Sequence, residues 1–265
     1  MTGPGPVQLI HNQFELQDLI ESQGGDPELI ERDFALVTIA ATLVSEFGDQ
    51  LCFKGGFVLR HVYGHERFSK DVDVTKINPP KHKLEATVIS EAISSAGARN
   101  LITLKPGVPT TDSAVGLSFD GIGYSGPLNK GTVSVELSYR EDVVEPPEQV
   151  LVGPPYYEAF PIPAMTIFEM TAEKLRTLAQ RTRPTDLADL AMILGAHDLD
   201  HQRVRELAQV KFKLVRPGDV EARIRTNVES IRRQYDAAIQ AVAPDAPSFE
   251  DASSAVLREL TQLLP

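Results

Sequence analysis

The spacing of apolar residues divides the chain into a mixed first half and a helical second half. Apolar positions three and four apart predict helices, whereas short alternating or continuous apolar runs predict strands. In the first half, the predicted helices cover 8–22, 27–47, 57–63 and 81–97, and the predicted strands cover 51–54, 70–76, 101–104, 115–119 and 132–139. In the second half, helices are predicted over 169–181, 185–196, 200–215, 220–242 and 249–264.

Individual residues define several of these helix boundaries. Asp26 precedes a proline, and this pair is expected to cap and begin the second helix. Gly48 and Gly97 are expected to end the helices that they follow. Thr166 and Glu169 have the spacing of a capping box, in which each side chain binds a backbone N–H of the other residue.

A proline-rich segment separates the two halves. Residues 140–165 contain repeated prolines and no long periodic run, so we expect an irregular crossing segment with a domain boundary near Pro163. The predicted domains are therefore 1–163, which mixes strands and helices, and 164–265, which is helical. This order of elements predicts an α+β fold.

Two carboxylates lie on one predicted strand of the first domain. Asp71 and Asp73 are two residues apart in KDVDV, so their side chains project from the same face of the strand, while Val72 and Val74 face the core. Neighbouring carboxylates repel each other, and a divalent cation with a preference for oxygen ligands, such as Mg²⁺, would relieve that repulsion. The pattern predicts a metal site on this strand.

A glycine pair precedes the two aspartates and indicates an anion site. Gly55 and Gly56 allow the backbone to approach a phosphate closely, and the helix that follows would direct its free N–H groups towards it. Lys54 and Arg67 are expected to add positive charge. The order strand, glycine turn, helix, strand with Asp-x-Asp therefore predicts a site for a metal-bound triphosphate.

A third carboxylate is expected in such a site, because polymerase-type centres also hold the metal that activates the nucleophile. Glu136 is the candidate, since it lies in the alternating run TVSVELSY, on the polar face of a later strand.

Three motifs of the chain resemble those of the AbiEii/AbiGii toxin family, the nucleotidyltransferase-like toxins that include the MenT toxins, and they follow one another along the chain as in the family. Residues RPTDLADLAMIL are similar to the third motif of the family, with Asp186 and Asp189 as its acids. Residues TIFEMTAEKLRTLAQR are similar to the second motif, with Lys174 as its lysine. The first motif is represented by Lys54, Gly55, Gly56, Arg67, Ser69, Asp71 and Asp73.

The resemblance implies a polymerase-β-like nucleotidyltransferase core with a mixed sheet, followed by a helical C-terminal domain. It implies a toxin of a toxin–antitoxin or phage-defence operon, with an antitoxin from a neighbouring gene, Mg²⁺ or Mn²⁺ as cofactor and an NTP as substrate. Several MenT relatives add nucleotides to the 3′ end of tRNA, so an RNA acceptor is expected. By the same resemblance, Lys174 is expected to contact the triphosphate and Asp186 to lie near the active cleft.

The sequence departs from the family pattern at two positions. Phe57 follows the glycines where the family often has threonine, so no hydroxyl is offered to a phosphate there. Thr185 stands where an arginine is usual, and either Arg181 or Arg183 is a candidate to replace it.

The charge distribution leaves more than one acceptor open. The net charge of −11 argues against a protein that coats nucleic acid, yet residues 174–233 carry a net charge of +5. We predict that an RNA acceptor docks on this basic stretch. An acidic protein is also compatible with nucleotidylation of a protein hydroxyl, and the departures from the motifs are compatible with a nucleotide-binding module that has lost activity. The predicted docking residues are Lys211, Lys213, Arg216, Arg223 and Arg225.

The remaining features predict a cytoplasmic protein. Cys52 is the single cysteine, so no intrachain disulfide can form. The longest apolar run is too short to span a bilayer, and the N-terminal residues have no basic and apolar pattern of a signal peptide. The six histidines have no spacing typical of a zinc site.

Overall fold

The fold is described from a computed structural model of the chain. The description covers residues 9, 12–23, 26–77, 86–100, 102–107, 114–120, 130–139, 142–153, 159–216 and 218–265.

The structure contains helices and strands in the order that the sequence predicts, with two additional strands. The helices are α1 (Gln13–Gln23), α2 (Pro27–Phe47), α3 (Gly55–His61), α4 (Ala86–Arg99), α5 (Ile167–Gln180), α6 (Pro184–Ala196), α7 (His201–Lys211), α8 (Val220–Gln240) and α9 (Phe249–Leu263). The strands are β1 (Leu51–Lys54), β2 (Asp71–Lys76), β3 (Thr103–Pro106), β4 (Ala114–Asp120), β5 (Lys130–Ser138), β6 (Glu148–Val152) and β7 (Phe160–Ala164). Among the helices of the described part, none is long and apolar enough to cross a membrane.

The chain divides into two compact units. The sheet unit comprises residues 1–62, 68–143 and 147–164, and the helical unit comprises 63–67, 144–146 and 165–265. The main division thus lies one residue from the predicted boundary of 163/164. Two short segments, 63–67 and 144–146, belong to the helical unit although they lie within the predicted first domain.

The sheet unit is built on one seven-stranded mixed sheet with the order β3-β4-β5-β2-β1-β7-β6. Strand β2 pairs antiparallel with β1 and parallel with β5, so it lies near the centre of the sheet. Helix α2 packs on α4 and on β2, β5 and β7. Val72 and Val74 of β2 are buried, as their alternation with the two aspartates predicts. The α+β fold with a mixed sheet is confirmed.

Several predicted boundaries are corrected by the structure. Helix α1 begins at Gln13 rather than at residue 8, and residues 81–85 of the predicted fourth helix lie outside the described part of the chain. Gly97 does not end α4, which continues to Arg99. A Cβ atom at Gly97 would lie 2.8 Å from the carbonyl oxygen of Ile102, so the glycine permits close packing instead.

Strands β6 and β7 occupy the proline-rich segment where the sequence predicts irregular structure. The two strands pair antiparallel, with Gln149 opposite Pro163 and Leu151 opposite Pro161. The prolines alternate along β7, so their missing N–H groups fall on one edge of the strand and the intervening residues keep theirs. The prediction of an irregular segment is therefore wrong for these two strands, because the alternation makes the prolines compatible with pairing.

The helical unit contains α5 to α9 around its own core. Tyr235 of α8 and Phe249 of α9 are fully buried there, with ring centroids 5.7 Å apart. The expected capping box of α5 is half formed, because the Thr166 hydroxyl accepts the Glu169 N–H at 3.2 Å. The Glu169 carboxylate instead accepts the backbone N–H groups of Val144 and Glu145 at 2.9 Å, which attaches segment 144–146 to α5.

Candidate active site

Strand pairing brings three carboxylates together on the sheet. Asp73 of β2 lies directly opposite Glu136 of β5 in the parallel register, and Asp71 lies two residues earlier on the same face of β2. One carboxylate oxygen from each of the three residues lies within 4.8 Å of the other two. The sequence predicts this same set, and its members are close enough to share one cation.

The chemistry of these donors fits a hard divalent cation. All three groups offer carboxylate oxygens, which Mg²⁺, Mn²⁺ and Ca²⁺ prefer, and the histidine or cysteine that zinc prefers is not among them. Glu136 is exposed and the two aspartates are half-buried, so the set can be reached from solvent. Three carboxylates at this spacing also repel one another, and a bound cation would remove that repulsion.

The glycine pair and the aspartate pair are linked by direct packing. Gly55 has φ of +73°, and a Cβ atom there would lie only 2.0 Å from Asp73 Oδ2. Gly55 follows Lys54, which lies opposite Asp73 in the antiparallel register of β1 and β2. The first glycine therefore permits the backbone turn and also leaves room for a carboxylate of the candidate metal site.

We predict that Gly55→Ala destabilises the protein by about 1–3 kcal/mol, because the positive φ of this position is strained for alanine and the new methyl group displaces the Asp73 carboxylate. The free energy of unfolding, measured by denaturant titration, tests this. Gly64→Ala is the matched control, since Gly64 also has φ of +73° but a Cβ atom added there would have no neighbour within 4 Å. Equal losses in both variants would show that the contact with Asp73 contributes nothing.

Ser69 holds the carboxylate of Asp71. Its hydroxyl lies 3.1 Å from Asp71 Oδ1 and 3.0 Å from the Asp71 carbonyl oxygen, and it is in position to donate to either. Ser69 is itself buried. The sequence predicts a role for Ser69 in nucleotide binding, and the observed contacts show that it orients a candidate metal ligand.

The start of α3 differs from the predicted arrangement. The helix includes both glycines, with Lys54 at its N-cap, rather than following them. Phe57 is fully buried, with its ring centroid 6.3 Å from that of Phe53 and 4.5 Å from that of His61. The position where the family often has threonine is thus a core position in this chain.

Five charged residues form an ion cluster in the helical unit, of which Arg181 is exposed and the other four are buried: Arg67, Lys174, Arg181, Asp186 and Asp189. Arg67 donates to both oxygens of Asp189, at 2.5 and 3.0 Å. The Lys174 ammonium lies 2.7 Å from Asp189 Oδ2 and 3.2 Å from Asp186 Oδ1. Arg181 donates to both oxygens of Asp186, at 2.7 and 3.1 Å.

The cluster keeps both of its aspartates ionised. Burial raises the pKa of Asp186, but Lys174 and Arg181 outweigh it and lower this pKa to about 2. Burial likewise opposes ionisation of Asp189, and Arg67 and Lys174 outweigh it, so this pKa is also below its ordinary value. Burial lowers the pKa of Lys174, whereas the two aspartates raise it by more, so the ammonium stays protonated.

The structure distinguishes between the two arginines proposed for the missing motif position. Both arginines are exposed, but Arg181 places its guanidinium on Asp186, whereas Arg183 is the N-cap residue of α6. Thr185 lies in the first turn of α6. Arg181 therefore supplies the cation beside Asp186 in this chain.

Lys211 is not a surface residue, so its prediction as a docking residue is wrong. It is 2% exposed, and its ammonium lies 2.6 Å from Glu169 Oε1 and 2.8 Å from Glu173 Oε1. A helical pattern cannot show this, because both partners belong to another helix, α5. The other predicted docking residues, Lys213, Arg216, Arg223 and Arg225, are exposed or half-buried.

Sequence reasoning also missed two clusters that contain histidine. The carboxylate of Asp33 in α2 accepts a hydrogen bond from Arg60 and lies 3.1 Å from His61 Nε2. In the helical unit, His65 Nε2 lies 3.4 Å from His197 Nε2. A charged residue such as Asp33 within the apolar helix α2 is a signal that could have indicated the first cluster. The two histidines of the second cluster are 132 residues apart, so no local pattern links them.

Comparisons with known proteins identify the family of the chain. The sequence profile of the family described as "Nucleotidyl transferase AbiEii toxin, Type IV TA system" matches residues 39–257. A sequence comparison with curated proteins finds no match.

Solved structures show a similar fold. The chain resembles MenT4, a nucleotidyltransferase toxin from Mycobacterium tuberculosis H37Rv, with a TM-score of 0.70 and 20% identity, over 95% of this chain and 89% of that chain. It also resembles JHP933 from Helicobacter pylori, with a TM-score of 0.53 and 17% identity, over 89% of this chain and 91% of that chain. The family match extends over most of the chain and includes the candidate metal residues. The chain therefore belongs to the AbiEii family of nucleotidyltransferase toxins of type IV toxin–antitoxin systems.

Proposed function

We propose that the protein transfers a nucleotide from an NTP to an RNA 3′ end, most simply that of a tRNA, with release of pyrophosphate. The observation that carries this proposal is the set formed by Asp71, Asp73 and Glu136, whose carboxylates converge beside a glycine turn. Phosphoryl and nucleotidyl transfer depend mainly on positioning and on neutralising the charge of the phosphates. The toxin family supports the reaction class, and the acceptor is our inference.

The three carboxylates are the proposed ligands of Mg²⁺ or Mn²⁺. When bound, such ions neutralise phosphate charge and lower the pKa of an attacking hydroxyl. Asp73 is held against Gly55, and Asp71 is held by Ser69, so two of the ligands are oriented before a cation arrives. Glu136 is exposed and is the ligand that we expect to adjust on binding.

The nucleotide is proposed to bind at the glycine turn. The first N–H groups of α3 have no acceptor within the helix, which suits them to a phosphate oxygen. Lys54 at the N-cap would add positive charge. Gly55 and Gly56 contribute backbone N–H groups, and Ser69 contributes indirectly through Asp71.

The ion cluster of the helical unit carries a surplus of positive charge. Its three cations, Arg67, Lys174 and Arg181, outnumber its two aspartates, so the cluster carries a net charge of +1. From their places in the first and second family motifs, we propose that Arg67 and Lys174 contribute to triphosphate binding. Asp186 is engaged by two cations, and we infer that it holds Lys174 in place.

The acceptor is proposed to dock on exposed basic residues of the helical unit. We predict that the double variant Lys213→Glu/Arg216→Glu weakens binding of an acceptor RNA by about ten-fold or more, because phosphate contacts supply most sequence-independent affinity. Fluorescence anisotropy with a labelled tRNA tests this, at several salt concentrations. Nucleotide affinity should stay unchanged.

The double variant Arg99→Glu/Lys105→Glu is the matched control, since it makes the same change of charge at exposed residues of the sheet unit. It should bind the acceptor nearly as well as wild type. An acceptor affinity that is insensitive to salt, and equal in both double variants, would remove the docking surface and favour a protein acceptor.

Incubation of the purified protein with each labelled NTP, Mg²⁺ or Mn²⁺, total RNA and a protein lysate tests the reaction itself. Label at an RNA 3′ end supports the proposal. Label in protein instead would assign nucleotidylation of a protein hydroxyl, with which the net charge of −11 is compatible. Binding of an NTP with no transfer would indicate a nucleotide-binding module.

A further inference from the structure

A buried carboxylate fixes the end of α3 to α2 within the sheet unit. Asp33 Oδ2 accepts the Arg60 Nε–H at 3.2 Å, and Asp33 Oδ1 lies 3.1 Å from His61 Nε2. Burial raises the pKa of Asp33, but His61 and Arg60 outweigh it, so this pKa lies below its ordinary value and the group is ionised at neutral pH. The Asp33–Arg60 ion pair is therefore present at neutral pH.

The same arginine contacts the segment that leads into β2. The guanidinium carbon of Arg60 lies 3.7 Å from the ring centroid of Phe68, well inside the range of a cation–π contact. The guanidinium is thus held by Asp33 at its Nε atom while its planar face covers an aromatic ring. A lysine has no planar group that would make both contacts.

Phe68 immediately precedes the residue that orients Asp71. The Ser69 hydroxyl reaches the carboxylate and the carbonyl oxygen of Asp71. The pairing of β2 with β1 reaches only as far as Asp73, so Asp71 is paired on the β5 side, opposite Ser134. Because Asp71 has no partner in β1, the residues that come just before β2 can help to fix its position.

We propose that Asp33, Arg60 and Phe68 form a brace that positions the Asp71 carboxylate for metal binding. In this brace, an ion pair links Asp33 to Arg60, and a cation–π contact links Arg60 to Phe68. Phe68 is connected to Asp71 through its neighbour Ser69, which hydrogen-bonds to Asp71. Arg60 is a positioning residue, because it acts through Phe68 and Ser69. The inference rests on the metal site of the proposed function, and it assigns a task to an ion pair that the reaction itself does not use.

The affinity for Mn²⁺ measures the brace directly, without reference to nucleotidyl transfer. Loss of an outer partner of a metal ligand typically weakens metal binding by about 10–100-fold. Arg60 lies further from the metal than such a partner, so we expect Arg60→Met to weaken Mn²⁺ binding by about three- to ten-fold. The electron paramagnetic resonance signal of free Mn²⁺ gives the affinity. The Mn²⁺ binding that is lost in Asp73→Asn is the binding that belongs to the carboxylate set.

Two further variants separate positioning from loss of stability. Arg32→Met is the matched control, since it removes a guanidinium that pairs with Glu28 at 2.9 Å elsewhere on α2, and it should bind Mn²⁺ as wild type does. Phe68→Leu keeps an apolar side chain and leaves the Asp33–Arg60 pair intact, and we expect it to weaken Mn²⁺ binding by about three-fold. The double variant Arg60→Met/Phe68→Leu should bind no more weakly than Arg60→Met.

Three results would overturn the brace. Wild-type Mn²⁺ affinity in Arg60→Met would show that Asp71 needs no support from Arg60. Additive losses in the double variant would show that Arg60 and Phe68 act independently. A wild-type protein that binds no Mn²⁺ would overturn the proposed metal site and the brace together, whereas intact Mn²⁺ binding without transfer to RNA would contradict the proposed reaction and leave the brace standing.

Discussion

Asp73→Asn is expected to lower nucleotidyl transfer by about a thousand-fold or more while the protein stays folded. The substitution keeps the shape of the side chain beside Gly55 but removes the charge that would hold a cation. A thousand-fold loss corresponds to about 4 kcal/mol of transition-state stabilisation, which is within the range expected of a metal ligand. Incorporation of a labelled nucleotide under saturating NTP measures the loss.

Stability distinguishes this loss from unfolding. Three adjacent carboxylates repel one another, so removal of one charge should leave the unfolding midpoint of the metal-free protein unchanged or higher. Glu148→Gln is the control, because Glu148 is an exposed carboxylate on β6, away from the metal set in the sheet order. Wild-type turnover by Asp73→Asn would contradict the assignment of the metal ligands.

Local chemistry explains which elements of the fold were predictable. Helix α2 has a capping aspartate, a proline in its first turn and a long apolar face, and both of its ends match the prediction. Strands β6 and β7 were missed because proline usually excludes pairing, although two prolines at i, i+2 spacing leave the N–H groups of one strand edge intact. Gly97 was misread because its packing partners, Ile102 and Leu104, are not local to the helix.

The candidate site was predictable where its geometry follows from a single strand. Two strand residues with i, i+2 spacing must share a face, so the placement of Asp71 and Asp73 on one face can be predicted without tertiary information. The place of Glu136 opposite Asp73 depends on the register of β5, which alternation suggests but does not fix. The burial of Lys211 could not be predicted from the sequence, because it depends on two glutamates of a different helix.

Asp189→Asn is expected to produce the largest loss of stability of any single substitution discussed. Asp189 is fully buried and neutralises both Arg67 and Lys174, so its loss leaves two buried cations short of their counter-charge. Removal of one partner from a buried ion pair typically costs about 3–5 kcal/mol. Denaturant titration gives the free energy of unfolding. Glu229→Gln, which removes one of the two carboxylate partners of the exposed Arg232, should leave the midpoint unchanged.

The pH dependence of this loss provides an independent test of its cause. Asp186 and Asp189 have folded pKa values below the ordinary 3.8, and that of Asp186 is about 2. A group with a lowered folded pKa stabilises the protein fully above its unfolded pKa, and this contribution is lost as pH falls through the folded pKa. The difference in unfolding free energy between wild type and Asp189→Asn should therefore be constant from about pH 5 to 8 and should shrink as pH falls from about 4 towards 2. A difference that stays constant down to pH 2 would show that Asp189 stabilises the helical unit by packing alone and that the ion cluster contributes no net free energy.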